Sequence, residues 1–170
     1  MKGAEFCALN PMGKIPVLSH DGVVVTETAA IVTYLADAFP DAKLAPPHGS
    51  PARGAYYRWL FFGAGPVEAA LTNKSLSVEV PADKAPFVGY GSLPLVLDVL
   101  EHAVSATQFL AGGAFSAADL YLAAHLGFGM RFGNIEPRPA FQDYVGRMTS
   151  RPAYIRATAL DDAAMPPAAG

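Results

Sequence analysis

Residues 10–18 read NPMGKIPVL, and residues 27–28, one turn further on, read ET. The apolar runs at 17–19 and 23–25 flank Asp21-Gly22, a pattern that predicts a two-stranded β-hairpin. The Glu-Thr pair then stands at the start of a predicted helix, where the helix dipole and unpaired backbone N–H groups favour a carboxylate. A strand beside such a helix end is suited to bind a small peptide.

The composition limits the class of protein. The chain has 170 residues, 52% of them hydrophobic, and its 12 basic and 15 acidic residues give a net charge of -3. No run of like charge occurs, so nucleic-acid binding has no electrostatic footprint. One cysteine, Cys7, excludes an intramolecular disulfide. The sequence shows neither a secretory signal nor an apolar stretch that could span a bilayer, and it predicts a cytoplasmic protein with no nucleic-acid or membrane partner.

A Pro- and Gly-rich stretch divides the chain into two units. Residues 46–50 read PPHGS, which indicates a linker. Before it, apolar residues recur at helical spacing over 31–38, and Pro40 ends that helix. After it, the patterns are helical: Ser50-Pro51 begins one helix, and Gly65-Pro66 kinks or ends it. We therefore predict a small α/β unit followed by an all-α unit.

The clearest local signal in the second unit is a capping box. Ser116 can cap the backbone N–H of Asp119, and the Asp119 carboxylate can reach back to the N–H of Ser116. Phe115 and Leu120 flank the pair as a hydrophobic staple. We assign these four residues a structural role. The helix that begins here is apolar nearly all round, so we expect it at the buried centre of the unit, with one more helix over residues 141–148.

With these motifs in order, the chain resembles the glutathione S-transferases, and most of all the bacterial cytosolic members. In that family Asn-Pro-x-Gly-Lys-Ile/Val-Pro-x-Leu leads into a strand of a thioredoxin-like domain, and Glu/Gln-Ser/Thr opens the next helix. Residues 115–120 match the capping motif of the second domain, and residues 151–154 resemble its C-terminal element. The resemblance implies an α/β + all-α fold, with a partial thioredoxin-like domain (hairpin plus helix) followed by an all-helical C-terminal domain.

The expected boundaries follow from the resemblance and the composition break. We expect a truncated glutathione-binding domain over 1–42, a linker over 43–49, an all-α domain over 50–162 and a disordered tail over 163–170. A βαβ unit needs roughly 30 residues, whereas nine residues precede Asn10. We therefore expect this chain to lack the first strand, the first helix and most of the second strand. The Tyr, Ser or Cys that ionises the glutathione thiol in the family would be missing with them.

The resemblance assigns glutathione contacts to five residues. Pro16 would be the cis-proline that shapes the site, and Ile15 would pair its backbone with the cysteinyl part of glutathione. Thr28 would bind the γ-glutamyl carboxylate at the helix N-terminus, and Glu27 would face the ammonium group. Lys14 would contact the glycyl carboxylate or the rim of the peptide. Glutathione is the implied substrate, and no metal is implied.

Several alternatives stay open. Tyr57 and Phe61 either line a pocket for an apolar electrophile or pack in the core. The catalytic residue is unassigned, because Cys7 could replace the missing thiol-activating group or could be a small buried or loop residue. The chain is then either a transferase, with a homodimer implied by the resemblance, or a non-catalytic module that binds glutathione or another protein. The four histidines show no metal-ligand spacing.

Overall fold

A single hairpin precedes a series of helices. The structure is a computed structural model that describes residues 3–165. Short 3₁₀ segments at Pro40–Ala42 and Ala82–Phe87 and a π-helical turn at Gly63–Val67 interrupt the regular elements. In chain order these elements are α1 (Ala4–Leu9), β1 (Val17–His20), β2 (Val23–Thr26), α2 (Thr28–Ala38), α3 (Pro51–Phe62), α4 (Glu68–Ser75), α5 (Leu93–Ala106), α6 (Ala117–Arg131), α7 (Pro139–Thr149) and α8 (Pro152–Ala164). The α/β + all-α class expected from the sequence is confirmed.

The hairpin forms where the β-branched runs predicted it. Strands β1 and β2 pair antiparallel in a register that places His20 opposite Val23. Asp21 and Gly22 have φ values of 48° and 79°, as a two-residue turn with positive φ at both positions requires. A hydrogen bond of 2.9 Å between His20 Nδ1 and the Tyr34 hydroxyl fastens β1 to α2.

A π-helical turn joins α3 to α4. Pro51 is the first residue of α3, with Ser50 at the N-cap position, as the sequence predicts. The Ser50 hydroxyl donates to the carbonyl of Pro47 at 2.8 Å. The turn over Gly63–Val67 contains Pro66, which has no N–H to donate and so disturbs the regular helical ladder. α3 ends at Phe62, just before the Gly65-Pro66 pair that was predicted to kink or end it, and the turn carries the chain into α4.

The main core lies among the helices of the second unit. Its largest fully buried side chains are Tyr56, Leu100, Leu122, Phe141 and Tyr144. Both halves of the predicted capping box are present at the start of α6, which is the buried central helix. Phe115 lies under the Arg151 guanidinium, 3.3 Å from the ring centroid, and Leu120 is 39% exposed. The staple between Phe115 and Leu120 stays a prediction.

Asp119 organises the start of α6 from a fully buried position. Its carboxylate accepts hydrogen bonds from the Ser116 N–H at 2.9 Å and the Ser116 hydroxyl at 2.8 Å. It also accepts from the Leu110 N–H at 2.8 Å and the Tyr144 hydroxyl at 2.9 Å. Burial beside this carboxylate raises the pKa of Tyr144 far above its usual range, so the phenol stays a donor. Asp119 therefore joins α6, α7 and the preceding loop.

Hydrogen bonds connect the α/β unit and the linker to the helices. Arg53 of α3 is buried, and its guanidinium donates to both Asp37 oxygens of α2 at 2.8 and 3.1 Å. It also donates to the Pro46 carbonyl at 2.9 Å. The Ala117 N–H donates to the Leu44 carbonyl at 2.7 Å. Hydrogen bonds thus hold the linker residues Leu44 and Pro46 to α6 and α3.

The C-terminal end contains a helix that the apolar pattern did not mark. That pattern indicated one more helix over 141–148, and α8 follows it from Pro152. None of its described residues is buried, so it carries no apolar stripe that periodicity could reveal. Ala163 and Ala164, predicted in the disordered tail, belong to α8, while residues 166–170 of that prediction lie outside the described residues. None of the helices within residues 3–165 is long and apolar enough to cross a membrane.

Candidate functional site

A pocket of about 830 Å³ lies between the α/β unit and the helices. Its α/β side comes from the loop before β1 and from the start of α2. Its helical side comes from the π-helical turn, α4, α6 and Asn134, which lies three residues after the end of α6. Five lining residues are those that the resemblance assigns to glutathione: Lys14, Ile15, Pro16, Glu27 and Thr28. The structure therefore brings the whole predicted set together in one pocket.

Asn10 folds the loop before β1. Its side chain is buried, and its Nδ2 donates to the Lys14 carbonyl at 2.8 Å while its Oδ1 accepts from the Met12 N–H at 3.1 Å. The Ile15–Pro16 peptide is cis, as the resemblance implies. Ile15 is 65% exposed, so this edge of the pocket is open. Asn10 belongs to the sequence motif, and the structure gives it a role: its side chain holds the loop before β1 in place.

The start of α2 forms a second polar element of the pocket. Glu27 has φ 68° and ψ 121°, a conformation that few non-glycine residues adopt. It turns the chain from β2 into α2, and its carbonyl accepts the Ile31 N–H at 2.9 Å. Thr28 is the first residue of α2, and both side chains are exposed. The N–H groups of this first turn have no partner within the helix and can bind an anion.

The helical side of the pocket is largely apolar. The chain approaches α6 closely at Gly63: a Cβ there would lie 2.7 Å from Cε1 of Tyr121, which is closer than packed atoms can lie. Phe128 is 66% exposed and so offers an open ring. This side also contains the polar residues Thr72, Ser75 and Asn134, and its apolar lining residues are Ala64, Leu71, Leu76, Ala124 and Phe128.

Three titratable residues stand within this apolar side: Glu68, Tyr121 and His125. His125 Nδ1 lies 3.8 Å from Glu68 Oε2, and the ring centroids of His125 and Tyr121 are 4.6 Å apart. Within the described residues His125 Nε2 is buried without a hydrogen-bond partner. Burial lowers the pKa of His125, although Glu68 opposes this. Burial also raises the pKa of Tyr121, as do the charges of Glu68 and Glu27.

These three residues belong to no motif in the sequence. Tyr121 and His125 are four positions apart on α6, so they share one face of a helix that was already predicted. That spacing was the available signal. Glu68 gave none, because its place in the pocket depends on how the π-helical turn directs α4.

The predicted aromatic pair lies elsewhere. Tyr57 accepts a hydrogen bond from Arg53 Nε at 2.9 Å, and Phe61 is 73% exposed. Neither residue lines the 830 Å³ pocket. The buried aromatic residues of α3 are instead Tyr56 and Trp59. Cys7 lies half-buried in α1 and is likewise outside the described lining of the pocket.

Models of known protein families match both units of the chain. The model of the glutathione S-transferase N-terminal domain matches residues 1–37, and that of the glutathione S-transferase C-terminal domain matches residues 89–152. The Glutathione S-transferase GstA of Escherichia coli O157:H7 is 30% identical over 152 residues, which cover 88% of this chain and 75% of that protein.

Solved structures agree with these matches. A sphingomonad glutathione S-transferase complexed with glutathione superposes with a TM-score of 0.75 at 33% identity, over 94% of this chain and 80% of that one. A glutathione transferase from Methylococcus capsulatus superposes with a TM-score of 0.76 at 32% identity, over 94% and 79% of the two chains. Two family models and two similar solved folds therefore point the same way.

Proposed function

The chain belongs to the glutathione S-transferase family, and from that premise we propose that its 830 Å³ pocket binds glutathione and presents the thiol to an apolar electrophile. The observation that carries the proposal is the convergence of Lys14, Ile15, Pro16, Glu27 and Thr28 on one pocket that also has an apolar side. The sphingomonad relative is a complex with glutathione, which supports the same ligand for this pocket.

Each end of glutathione meets a group that suits it. The γ-glutamyl carboxylate would accept from the Thr28 hydroxyl and from N–H groups at the start of α2, where the helix dipole adds attraction. Glu27 would face the ammonium group, and Lys14 the glycyl carboxylate. Ile15 would pair its backbone with the cysteinyl residue in the manner of an added strand. The thiol would then lie near the middle of the pocket.

The apolar side would hold the second substrate. Leu71, Ala124 and the open ring of Phe128 offer a surface for an apolar electrophile beside the thiol. The nucleophile in the transfer is the thiolate of glutathione, which forms the bond to the electrophilic carbon as the leaving group departs. The group that ionises the thiol is unassigned. The homodimer, the cytoplasmic location and the domain boundaries stay predictions.

Calorimetric titration with glutathione and a conjugation assay with an aryl halide test the proposal. We expect Thr28→Val to weaken glutathione binding by about fivefold to tenfold, because one charge-assisted hydrogen bond is lost. Thr33→Val is the matched control, since the Thr33 hydroxyl donates to the Ala29 carbonyl of its own helix. Equal affinities of glutathione for Thr28→Val and the wild type would show that the Thr28 hydroxyl does not bind the γ-glutamyl carboxylate. No glutathione binding by the wild type would refute the proposal altogether.

A second candidate is glutathione binding without turnover. It is favoured by the position of Cys7, the single cysteine of the sequence, outside the described lining of the pocket. Under this alternative, calorimetry would show glutathione binding while the conjugation rate stayed at the uncatalysed value. Turnover above that rate would exclude it.

A further inference from the structure

The pocket contains one charge that glutathione leaves unmatched. Among its described lining residues, Lys14, Glu27 and Glu68 are charged at neutral pH. On the proposed function, on which this inference rests, Lys14 meets a carboxylate of glutathione and Glu27 meets its ammonium group. Glu68 has no counterpart on the peptide, so its carboxylate faces whatever else enters the pocket.

The neighbour that Glu68 contacts does not neutralise its carboxylate. The nearest basic side chain in contact is His125, whose Nδ1 lies 3.8 Å away. Burial lowers the pKa of His125, so its imidazole is neutral at pH 7 and adds no positive charge. The Glu68 side chain is 62% exposed, which leaves the carboxylate open to the pocket.

Glu68 acts on the side of the pocket that would hold the second substrate. It precedes Leu71 by three positions on α4, so the two share one helix face. Its charge also helps to raise the pKa of Tyr121, a residue of the opposite helix in the same pocket. The carboxylate therefore lies on the helical side of the pocket, on the same helix face as Leu71 and near enough to Tyr121 to raise its pKa.

We propose that Glu68 is a specificity-determining residue, which makes this pocket bind neutral or cationic apolar electrophiles more tightly than anionic ones. A second negative charge within about 4–6 Å of Glu68 would be repelled even with most of the Glu68 side chain open to water. That repulsion corresponds to roughly a threefold to tenfold loss of affinity. The thiolate adds a further negative charge nearby and acts in the same direction.

The test uses two conjugates that differ in charge alone. S-(4-carbamoylbenzyl)glutathione and S-(4-carboxybenzyl)glutathione share the peptide and the ring, so their substituents probe the second-substrate side at almost equal size. Calorimetry gives the ratio of their dissociation constants. We expect the wild type to bind the carboxylate conjugate roughly threefold to tenfold more weakly than the amide, with a smaller ratio at high salt because screening weakens the repulsion.

Variants assign the effect to Glu68. Glu68→Gln should bring the ratio close to one, and Glu68→Lys should invert it so that the carboxylate conjugate binds more tightly. Asp161→Asn removes the same charge from exposed α8, outside the pocket, and should keep the wild-type ratio. A ratio near one in the wild type, or a ratio that Glu68→Gln leaves unchanged, would overturn the inference while glutathione binding still supports the proposed function. Failure of both conjugates and of glutathione itself to bind would overturn both.

Discussion

The helical unit carries its own core, whereas the hairpin unit depends on that core. Almost all buried apolar residues of the main cluster lie in α3 to α7 or between them, and residues up to 42 contribute Ala36 to it. Val23 and Val24 of β2 are 49% and 42% exposed. A two-stranded hairpin is marginal by itself, so α2 and its ion pair with Arg53 must hold this one. The α/β side of the pocket therefore depends on α3, which contributes none of the described lining residues.

The largest expected effect comes from Asp119→Ala. This change leaves the Leu110 N–H, the Ser116 N–H and the Tyr144 hydroxyl without their acceptor in the core. We expect a loss on the order of 3–5 kcal/mol in the free energy of unfolding. Urea unfolding followed by the fluorescence of Trp59, the single tryptophan, measures it. Asp41→Ala, at an exposed carboxylate, should change stability by less than about 0.5 kcal/mol.

The same variant tests whether the hairpin unit depends on the helical unit for its stability. If the hairpin depends on the helical core, amide protection in β1 and β2 should fall together with the stability reported by Trp59. Hairpin amides that keep wild-type protection in Asp119→Ala would show that the hairpin is stable by itself.

A smaller effect is expected from Gly63→Ala, at the helical side of the pocket. The new Cβ would lie 2.7 Å from the Tyr121 ring, and the resulting shift should cost about 1–3 kcal/mol. It should also weaken binding of the benzyl conjugates more than binding of glutathione, because Tyr121 lines their side of the pocket. Gly65→Ala lies in the same turn with nothing within 4 Å of a Cβ. Equal effects of the two alanines would argue against close packing at Gly63.

The smallest effect concerns pH. Burial lowers the pKa of His125 below its ordinary value of 6.5, so the unfolded chain binds a proton in acid that the folded chain does not. Stability should therefore fall as the pH drops below about 6.5, by up to about 1.4 kcal/mol per pH unit. Glu68 of α4 and Tyr121 of the same helix are the titratable groups beside the ring.

His125→Gln is the variant that isolates this pH effect. Urea unfolding at pH 7.0 and pH 5.5 should show a smaller loss for the variant than for the wild type. Identical losses in the two proteins would mean that His125 titrates normally in the fold.

Prediction from the sequence succeeded where a signal is local. The turn at Asp21-Gly22, the capping box at Ser116 and Asp119 and the interruption of the helix around Pro66 follow from backbone preferences of a few neighbouring residues. It left the place of Tyr57 and Phe61 open between a pocket and the core, because helical spacing identifies an apolar face without showing which neighbour that face meets. It did not mark α8, none of whose described residues is buried.

The sequence by itself determined the family and the five residues proposed to bind glutathione, because these depend on short local motifs. The tertiary structure alone decided what stands opposite them. Glu68, Tyr121 and His125 reach the pocket because the π-helical turn directs α4 and because Gly63 lets α6 approach. That arrangement depends on packing between elements far apart in sequence, which no local pattern encodes.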